Sequence, residues 1–214
     1  MSLKKVFFLF LFFILCHLSG KSQSFEGKII YRVSGKTPDL KRTSQETIDM
    51  MLMDMDTTAI LYISKSRYKL VTLARDTGLP RMVNQYDPFL NMIYDYQPDS
   101  KFAMKSPNPP AITYQKKVIK RNGQKTLLDS NCTAISLTFS DTRAVVYYSN
   151  NFSVDTKDIR IDAPLFLQFM RQAEAIPLKI IMSGNGAIHA LEYEAISIIR
   201  EELPDSTFKF PDKN

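Results

Sequence analysis

Hydrophobic and polar residues alternate along most of this chain in short runs, with an apolar side chain at every second position. The stretch SFEGKIIYRVSGKT is representative, because Ile29, Tyr31 and Val33 share one parity and polar Ser34-Gly35 closes the run. A period of two residues is typical of a strand that buries one face. The pattern therefore predicts a β-strand at the start of this region.

Pairs of such runs are separated by short turn-forming segments and predict four β-hairpins. AILYIS and RYKLVTL flank Lys65-Ser66, residues 114–120 and 125–128 flank Asn122-Gly123, CTAISLTFS and RAVVYYS flank Asp141-Thr142, and IPLKIIMS and AIHALEYEAISII flank Gly184-Asn185-Gly186. Asn-Gly is the strongest short hairpin signal among them.

Two further features stand near the C-terminal end. Leu191 and Tyr193 share one parity, but the apolar pattern shifts by one residue at Ala195–Ile196, which predicts a β-bulge there. Phe208 and Phe210 lie on one side of the tail and predict a short closing strand.

Two segments instead follow the period of an amphipathic helix. The first spans Thr43–Met55, with Ile48, Met51, Leu52 and Met55 on one face. The second spans Ala163–Ala173, with Asp162 as candidate N-cap and Leu165, Phe166 and Phe169 as candidates for its apolar face.

Nine or ten strands, two helices and short connections predict a mainly β (α+β) fold with antiparallel neighbours. The alternation of strand and helix that a parallel sheet requires is absent. We expect one large curved antiparallel sheet, or half-open barrel, with the two helices packed on its concave face.

The N-terminal 24 residues predict an export signal followed by a single domain over 25–214. Lys4 and Lys5 precede the apolar run Val6–Cys16, which is too short to span a membrane, and Ser22 and Ser24 suit cleavage before Phe25. We therefore expect a periplasmic or secreted protein with no stable membrane span.

Two alternatives to soluble export remain open, namely a lipid anchor at Cys16 and an uncleaved N-terminal anchor. Bulky Ile14 and Leu15 precede the cysteine, where lipidation signals carry small residues.

Removal of this segment lowers the formal net charge from +6 to +3, which is too mild to indicate a nucleic-acid partner. Cys132 and His189 would be the one cysteine and the one histidine left in the mature chain. These counts exclude an intramolecular disulfide and a histidine-rich metal site, and they predict a buried, inert thiol.

Candidate chemistry is sparse, and we expect neither an enzyme nor a cofactor. Glu192 and Glu194 lie at strand spacing, as a catalytic pair would, but no cluster of His, Cys or further acids accompanies them. Met50, Met51, Met53 and Met55 are soft ligands that could hold Cu(I), yet the apolar helix face already explains two of them.

Several segments, taken in order, resemble a family of uncharacterised exported bacterial domains. These are FEGKIIYRVSG, ILYISKSRYKL, VVYYSNNF and LPDSTFKFP. That family is similar in fold to the LolA-like periplasmic lipoprotein carriers, which are half-open antiparallel barrels closed by helices over an apolar cavity. The resemblance implies a periplasmic protein that shelters a lipid or lipoprotein acyl chain.

The leading hypothesis is a non-enzymatic binding module with an apolar cavity beneath the helices. Its predicted lining residues are Met51, Leu52, Met55, Leu165, Phe166 and Phe169. Methionine is flexible and polarizable, so such a surface can adapt to varied lipophiles. The alternative is an envelope protein–protein interaction or structural domain without a ligand cavity.

Overall fold

The computed structural model describes residues 25–36, 57–64, 66–98, 100, 103–107, 115–119, 125–139, 142–160, 162–184 and 190–210. The strands are β1 (Glu26–Lys36), β2 (Thr58–Ser64), β3 (Arg67–Leu73), β4 (Pro80–Asp87), β5 (Met92–Tyr96), β6 (Ala103–Pro107), β7 (Gln115–Ile119), β8 (Lys125–Leu127), β9 (Ser130–Phe139), β10 (Thr142–Ser153), β11 (Ala175–Gly184) and β12 (Ala190–Arg200). The described helices are α1 (Leu165–Ala173) and a 3₁₀ turn (Asp205–Phe208).

All twelve strands belong to one curved antiparallel sheet, so the predicted mainly β class is confirmed. The order is β6-β5-β4-β3-β2-β1-β12-β11-β10-β9-β7, and β8 also pairs with β9. The sheet is open because β6 and β7 stand at its two ends. Strands β1 and β12, which are far apart in sequence, pair at its centre and join its two halves.

Three of the four predicted hairpins are confirmed, namely β2–β3, β9–β10 and β11–β12. The predicted bulge is confirmed as well. Ile30 pairs with Ser197 and Tyr31 with Ala195, so Ile196 is the extra residue on β12. Its side chain is about half exposed, and Ala195 before it and Ile198 after it both pack on the main core, so the extra residue keeps the apolar side chains of β12 on one face.

The hairpin predicted around Asn122-Gly123 is wrong. The flanking strands β7 and β8 do not pair with each other, because both run antiparallel to β9 along the same edge. The tight turn lies instead at Leu128-Asp129, where both residues have positive φ angles of 46° and 55° and connect β8 to β9. Two consecutive positive φ angles are characteristic of a type I′ hairpin turn.

Helix α1 confirms the second predicted helix, shortened by two residues at its start. Its N-cap is Pro164, without a side-chain cap, so the prediction that Asp162 caps it is wrong. Glu174 ends the helix in a left-handed conformation, and β11 starts at the next residue. The helix predicted at Thr43–Met55 lies outside the described residues, as does the predicted export segment.

The inner face of the sheet, defined as the face that carries α1, holds the main core. Residues of every strand from β1 to β4 and from β8 to β12 contribute to a single apolar cluster with α1. Phe166 packs edge-on against Tyr193, with ring centroids 5.2 Å apart, and lies 6.1 Å from the ring of Tyr31. The Tyr31 hydroxyl donates a hydrogen bond to the Pro177 carbonyl at 2.9 Å, which satisfies its buried polar group.

A polar clasp connects the two halves of the sheet across this inner face. Arg160 and Asp162, which precede α1, form two hydrogen bonds of 2.8 Å. Asn91, in the β4–β5 turn, donates to Asp162 at 3.1 Å and accepts from the Tyr86 hydroxyl at 2.9 Å. Since β4 and β10 lie six places apart in the sheet, the clasp helps to hold the sheet in its curved form.

Replacing Asp162 with Asn is expected to weaken this clasp in a pH-dependent way. The hydrogen bonds from Arg160 hold the pKa of Asp162 at about 2, below its ordinary 3.8. A lowered native pKa contributes stability that is fully present above about pH 4 and is lost as the pH falls through about 2. We expect Asp162→Asn to cost about 1 kcal/mol at neutral pH. Urea unfolding at pH 7 and near pH 2 measures this, and an equal difference at both pH values would contradict it.

Candidate functional site

A second apolar cluster lies on the outer face of the sheet, opposite the main core. Val71, Val83, Tyr94 and Tyr96 are buried there, although their strands already bury alternate residues on the inner face. Strands that are buried on both faces carry near-continuous apolar runs rather than a strict alternation. The run AILYIS in β2 has this character.

The C-terminal segment covers part of this outer cluster. Its predicted closing strand is wrong, because Asp205–Phe208 forms a 3₁₀ turn. Both the backbone carbonyls and the side chains of the C-terminal segment contact the sheet. The buried amide of Gln85 donates to the Phe208 carbonyl at 2.5 Å, and Phe210 packs on Tyr94 with ring centroids 4.2 Å apart. Arg67 pairs with Asp205 at 2.9 Å and stacks over the Phe208 ring.

Between the C-terminal segment and the sheet runs a groove of about 640 Å³. The strand register explains its floor, because Ile60, Val71, Val83 and Tyr96 form one continuous row across β2, β3, β4 and β5. The full lining consists of Ile60, Tyr62, Lys69, Val71, Leu73, Pro80, Val83, Tyr96, Pro98, Thr207, Lys209 and Phe210. Volumes of 300–1,000 Å³ with a mostly apolar lining and few polar groups are typical of small-molecule sites.

One polar group of the groove, the Lys69 ammonium, contacts the C-terminal segment. Lys69 lies two residues before Val71 on the same face of β3. Its ammonium donates a hydrogen bond to the Thr207 carbonyl at 3.2 Å. Burial lowers the pKa of Lys69, because the charged form is incompletely solvated there. Gln85 next to it accepts from the Tyr96 hydroxyl at 3.0 Å, and burial raises the pKa of that tyrosine.

The predicted lining residues of α1 lie on the inner face, away from this groove. Phe166 and Phe169 meet edge-on at 6.3 Å, and Phe169 is completely buried in the main core. Leu165 is partly buried against the same cluster. Met51, Leu52 and Met55 lie outside the described residues, so a ligand cavity formed with them stays a prediction.

The candidate carboxylate pair is engaged in ion pairs. Lys179, on β11, contacts Glu192 and lies 2.7 Å from Glu194, and Arg32 approaches Glu194 at 2.7 Å. The Lys179 and Glu192 side chains are buried. An arrangement of this kind neutralises both acids and leads us to assign the pair a structural role.

The remaining candidate features are the cysteine, the histidine, a metal site and a membrane-spanning helix. Cys132 forms no disulfide within the described ranges and is only partly buried, and its thiol lies 3.4 Å from the Ser130 carbonyl, whereas the sequence predicts a buried thiol. His189 falls outside the described residues. Within the described ranges, no three His, Cys, Asp or Glu side chains are placed to hold a metal ion. No helix among those residues is long and apolar enough to cross a membrane.

Sequence reasoning therefore missed the outer groove. A usable signal is present, since Ile60 and Tyr62 interrupt the inward set Ala59, Leu61 and Ile63 with further apolar side chains. Both faces of such a strand require cover. The sequence does not show that the C-terminal segment covers only part of this outer face.

The geometry defines a mainly β protein with an open antiparallel sheet and an apolar groove on its outer face. No protein-family model and no curated protein matches the chain. Among solved structures, the chain is similar to the LolA superfamily protein NE2245 from Nitrosomonas europaea, at 9% identity, with 89% of this chain and 91% of that chain covered and a TM-score of 0.40. A LolA superfamily protein is thus among its structural neighbours, as the sequence predicts.

Two structures of PNGF-II, in space groups C2 and P2₁, are also similar. Each is 12% identical with a TM-score of 0.44, over 85% and 86% of this chain. The chain spans less than a third of PNGF-II, 29% and 30% in the two structures. None of these TM-scores reaches 0.5, so the function proposed below rests on the groove itself.

Proposed function

We propose that this protein is a non-enzymatic binding module that holds the apolar chain of a lipophilic ligand in its outer groove. We propose further that it acts in the periplasm or outside the cell, after removal of residues 1–24. The observation that carries the proposal is the groove of about 640 Å³ over the row Ile60, Val71, Val83 and Tyr96.

The composition of the groove supports binding rather than catalysis. Its walls are valine, isoleucine, leucine, proline and aromatic side chains, and the polar groups among them are few. General acid–base chemistry needs positioned groups that exchange a proton with the substrate. A hydrophobic site needs mainly shape and apolar area, with a few polar groups to set orientation.

The expected affinity is modest and follows from apolar burial. Each methylene that leaves water contributes about 0.8 kcal/mol, so about six buried methylenes contribute about 5 kcal/mol. A free energy of that size corresponds to a dissociation constant of about 0.2 mM. Longer or branched ligands that fill the groove are expected to bind more tightly.

Filling the groove is expected to abolish binding of a neutral apolar dye. Ile60 is partly exposed at the groove floor, so Ile60→Trp adds bulk into the groove rather than into the core. We expect the dissociation constant for Nile red, measured by fluorescence titration, to rise by about tenfold or more.

Met104→Trp is the matched control, because Met104 is exposed on β6 and does not line the groove. It is expected to leave the titration unchanged, and circular dichroism melting establishes that both variants fold. Failure of the native protein to bind Nile red, or full binding by folded Ile60→Trp, contradicts the proposal.

One observation favours a second candidate, a protein–protein interaction domain. The β4–β5 turn exposes 91% of Phe89 and 59% of Leu90. Both backbone amides donate to the Asp87 carboxylate, at 2.8 and 3.2 Å, so the turn is pre-organised. Rigid exposed aromatic side chains are typical anchors at protein interfaces.

A further inference from the structure

We propose that the ligand of the outer groove is a single-chain amphiphile with an anionic headgroup, and that Lys69 binds this headgroup. This inference rests on the proposed function and adds to it the chemical class of the ligand. It follows from three observations, namely the charges that line the groove, the environment of Lys69 and the direction in which the apolar floor extends.

The groove carries charge of one sign. Lys69 and Lys209 both line it, and no aspartate or glutamate is among its described lining residues. A cleft with low-dielectric walls and one sign of charge concentrates ligands of the opposite sign. The lining therefore favours an anion over a neutral or cationic lipophile.

Lys69 differs from Lys28, which is partly buried, and from Lys179, which is buried. Lys28 pairs with Glu201 at 3.0 Å, and Lys179 contacts two glutamates. Among the described residues, Lys69 has no carboxylate within ion-pair distance, and its ammonium donates to the Thr207 carbonyl. Burial lowers its pKa, as expected for a cation that lacks a compensating negative charge.

The apolar floor leads away from Lys69 in one direction. Lys69, Val71 and Leu73 alternate along β3, so all three side chains point into the groove. Their span of four residues covers about 13 Å. The register places Tyr62 beside Lys69 at one end and Pro80 beside Leu73 at the other. A headgroup at Lys69 thus directs an extended chain over Val71 towards Leu73.

The test compares three ten-carbon ligands of equal chain length below their micelle concentrations, using displacement of bound Nile red. The ligands are decanoate, decanol and decyltrimethylammonium. We expect the native protein to release the dye at about tenfold lower decanoate than decanol, with the cationic ligand weakest. Lys69→Met removes the charge and shortens the side chain by one atom, so it is expected to abolish the preference, with decanoate and decanol then releasing the dye at similar concentrations.

Lys105→Met is the matched control, because Lys105 lies on the same outer face, over the Tyr94 ring, but does not line the groove. It is expected to retain the preference for decanoate. Equal displacement by decanoate and decanol overturns the inference and leaves the proposed function standing. A preference that persists in Lys69→Met also overturns it, whereas a native protein that binds no Nile red overturns both proposals.

Discussion

Gly27→Ala is expected to destabilise this protein by about 3 kcal/mol or more, a large part of the stability of an ordinary domain. Gly27 has a φ angle of +144°, which L side chains rarely adopt. An added Cβ would overlap the Ile199 carbonyl oxygen and lie 3.0 Å from the carbonyl carbon. These are backbone atoms of the paired strand, so no side-chain rotation relieves the overlap. Urea denaturation followed by circular dichroism measures the loss.

Gly78→Ala separates the steric overlap from backbone strain. Gly78 has a φ angle of +66°, but a Cβ there meets no atom within 4 Å. Its replacement is expected to cost about 1 kcal/mol from strain alone. Equal shifts of the urea midpoint in the two variants would show that the β1–β12 contact at Gly27 tolerates a methyl group.

Lys179→Met is expected to cost about 3–5 kcal/mol, because it removes the shared cation of two glutamates. The Lys179 and Glu192 side chains are only 6% and 9% exposed, and Glu194 is 20% exposed. Arg32 stays within 2.7 Å of Glu194, so the uncompensated charge is mainly that of Glu192. Urea unfolding at neutral pH is the measurement.

Two companion variants define the origin of this effect. Lys179→Met combined with Glu192→Leu replaces the buried pair with apolar groups and is expected to recover much of the loss. Lys28→Met removes the more exposed pair with Glu201 and is expected to shift the midpoint far less. No recovery in the double variant would assign the loss to packing of the lysine stem instead.

The sequence predicted those parts of the fold that depend on neighbouring residues. Alternating apolar positions predicted most of the strands, and short turns predicted three hairpins with the correct partners. The bulge at Ile196 was predicted for the same reason, since a shift in apolar parity has to be absorbed within one or two residues. The span of α1 was also predicted, because its apolar face is a local property.

Two errors show where local patterns fail. Asn122-Gly123 has strong turn propensity, yet β7 and β8 both pair with the long strand β9 and not with each other. Phe208 and Phe210 follow a strand pattern, but the carbonyls of this segment accept hydrogen bonds from Gln85 and Lys69 across the sheet. For β7 and for the C-terminal segment, a partner distant in sequence outweighs the local preference, whereas β8 pairs with β9 through the tight turn at Leu128-Asp129.

In the candidate site as well, the sequence predicted the local features and missed those that combine distant segments. Leu165, Phe166 and Phe169 were predicted to share an apolar helical face, and the structure packs that face onto the inner core. The groove was not predicted, because its floor combines residues of four strands and its wall comes from the C-terminal segment. A single strand pattern shows that Ile60 and Val71 are apolar, but it does not show which segment covers them.

By itself, the sequence determined the mainly β class, most strand boundaries, the helix α1 and the bulge in β12, because hydrophobic periodicity and turn chemistry act over a few residues. Only the tertiary structure decided that β1 pairs with β12 at the centre of the sheet, that β7 pairs with β9 and not with β8, and that Lys69 stands at the end of an apolar groove. These features depend on contacts between residues distant in sequence, whose free energies are gained only after the chain has closed on itself.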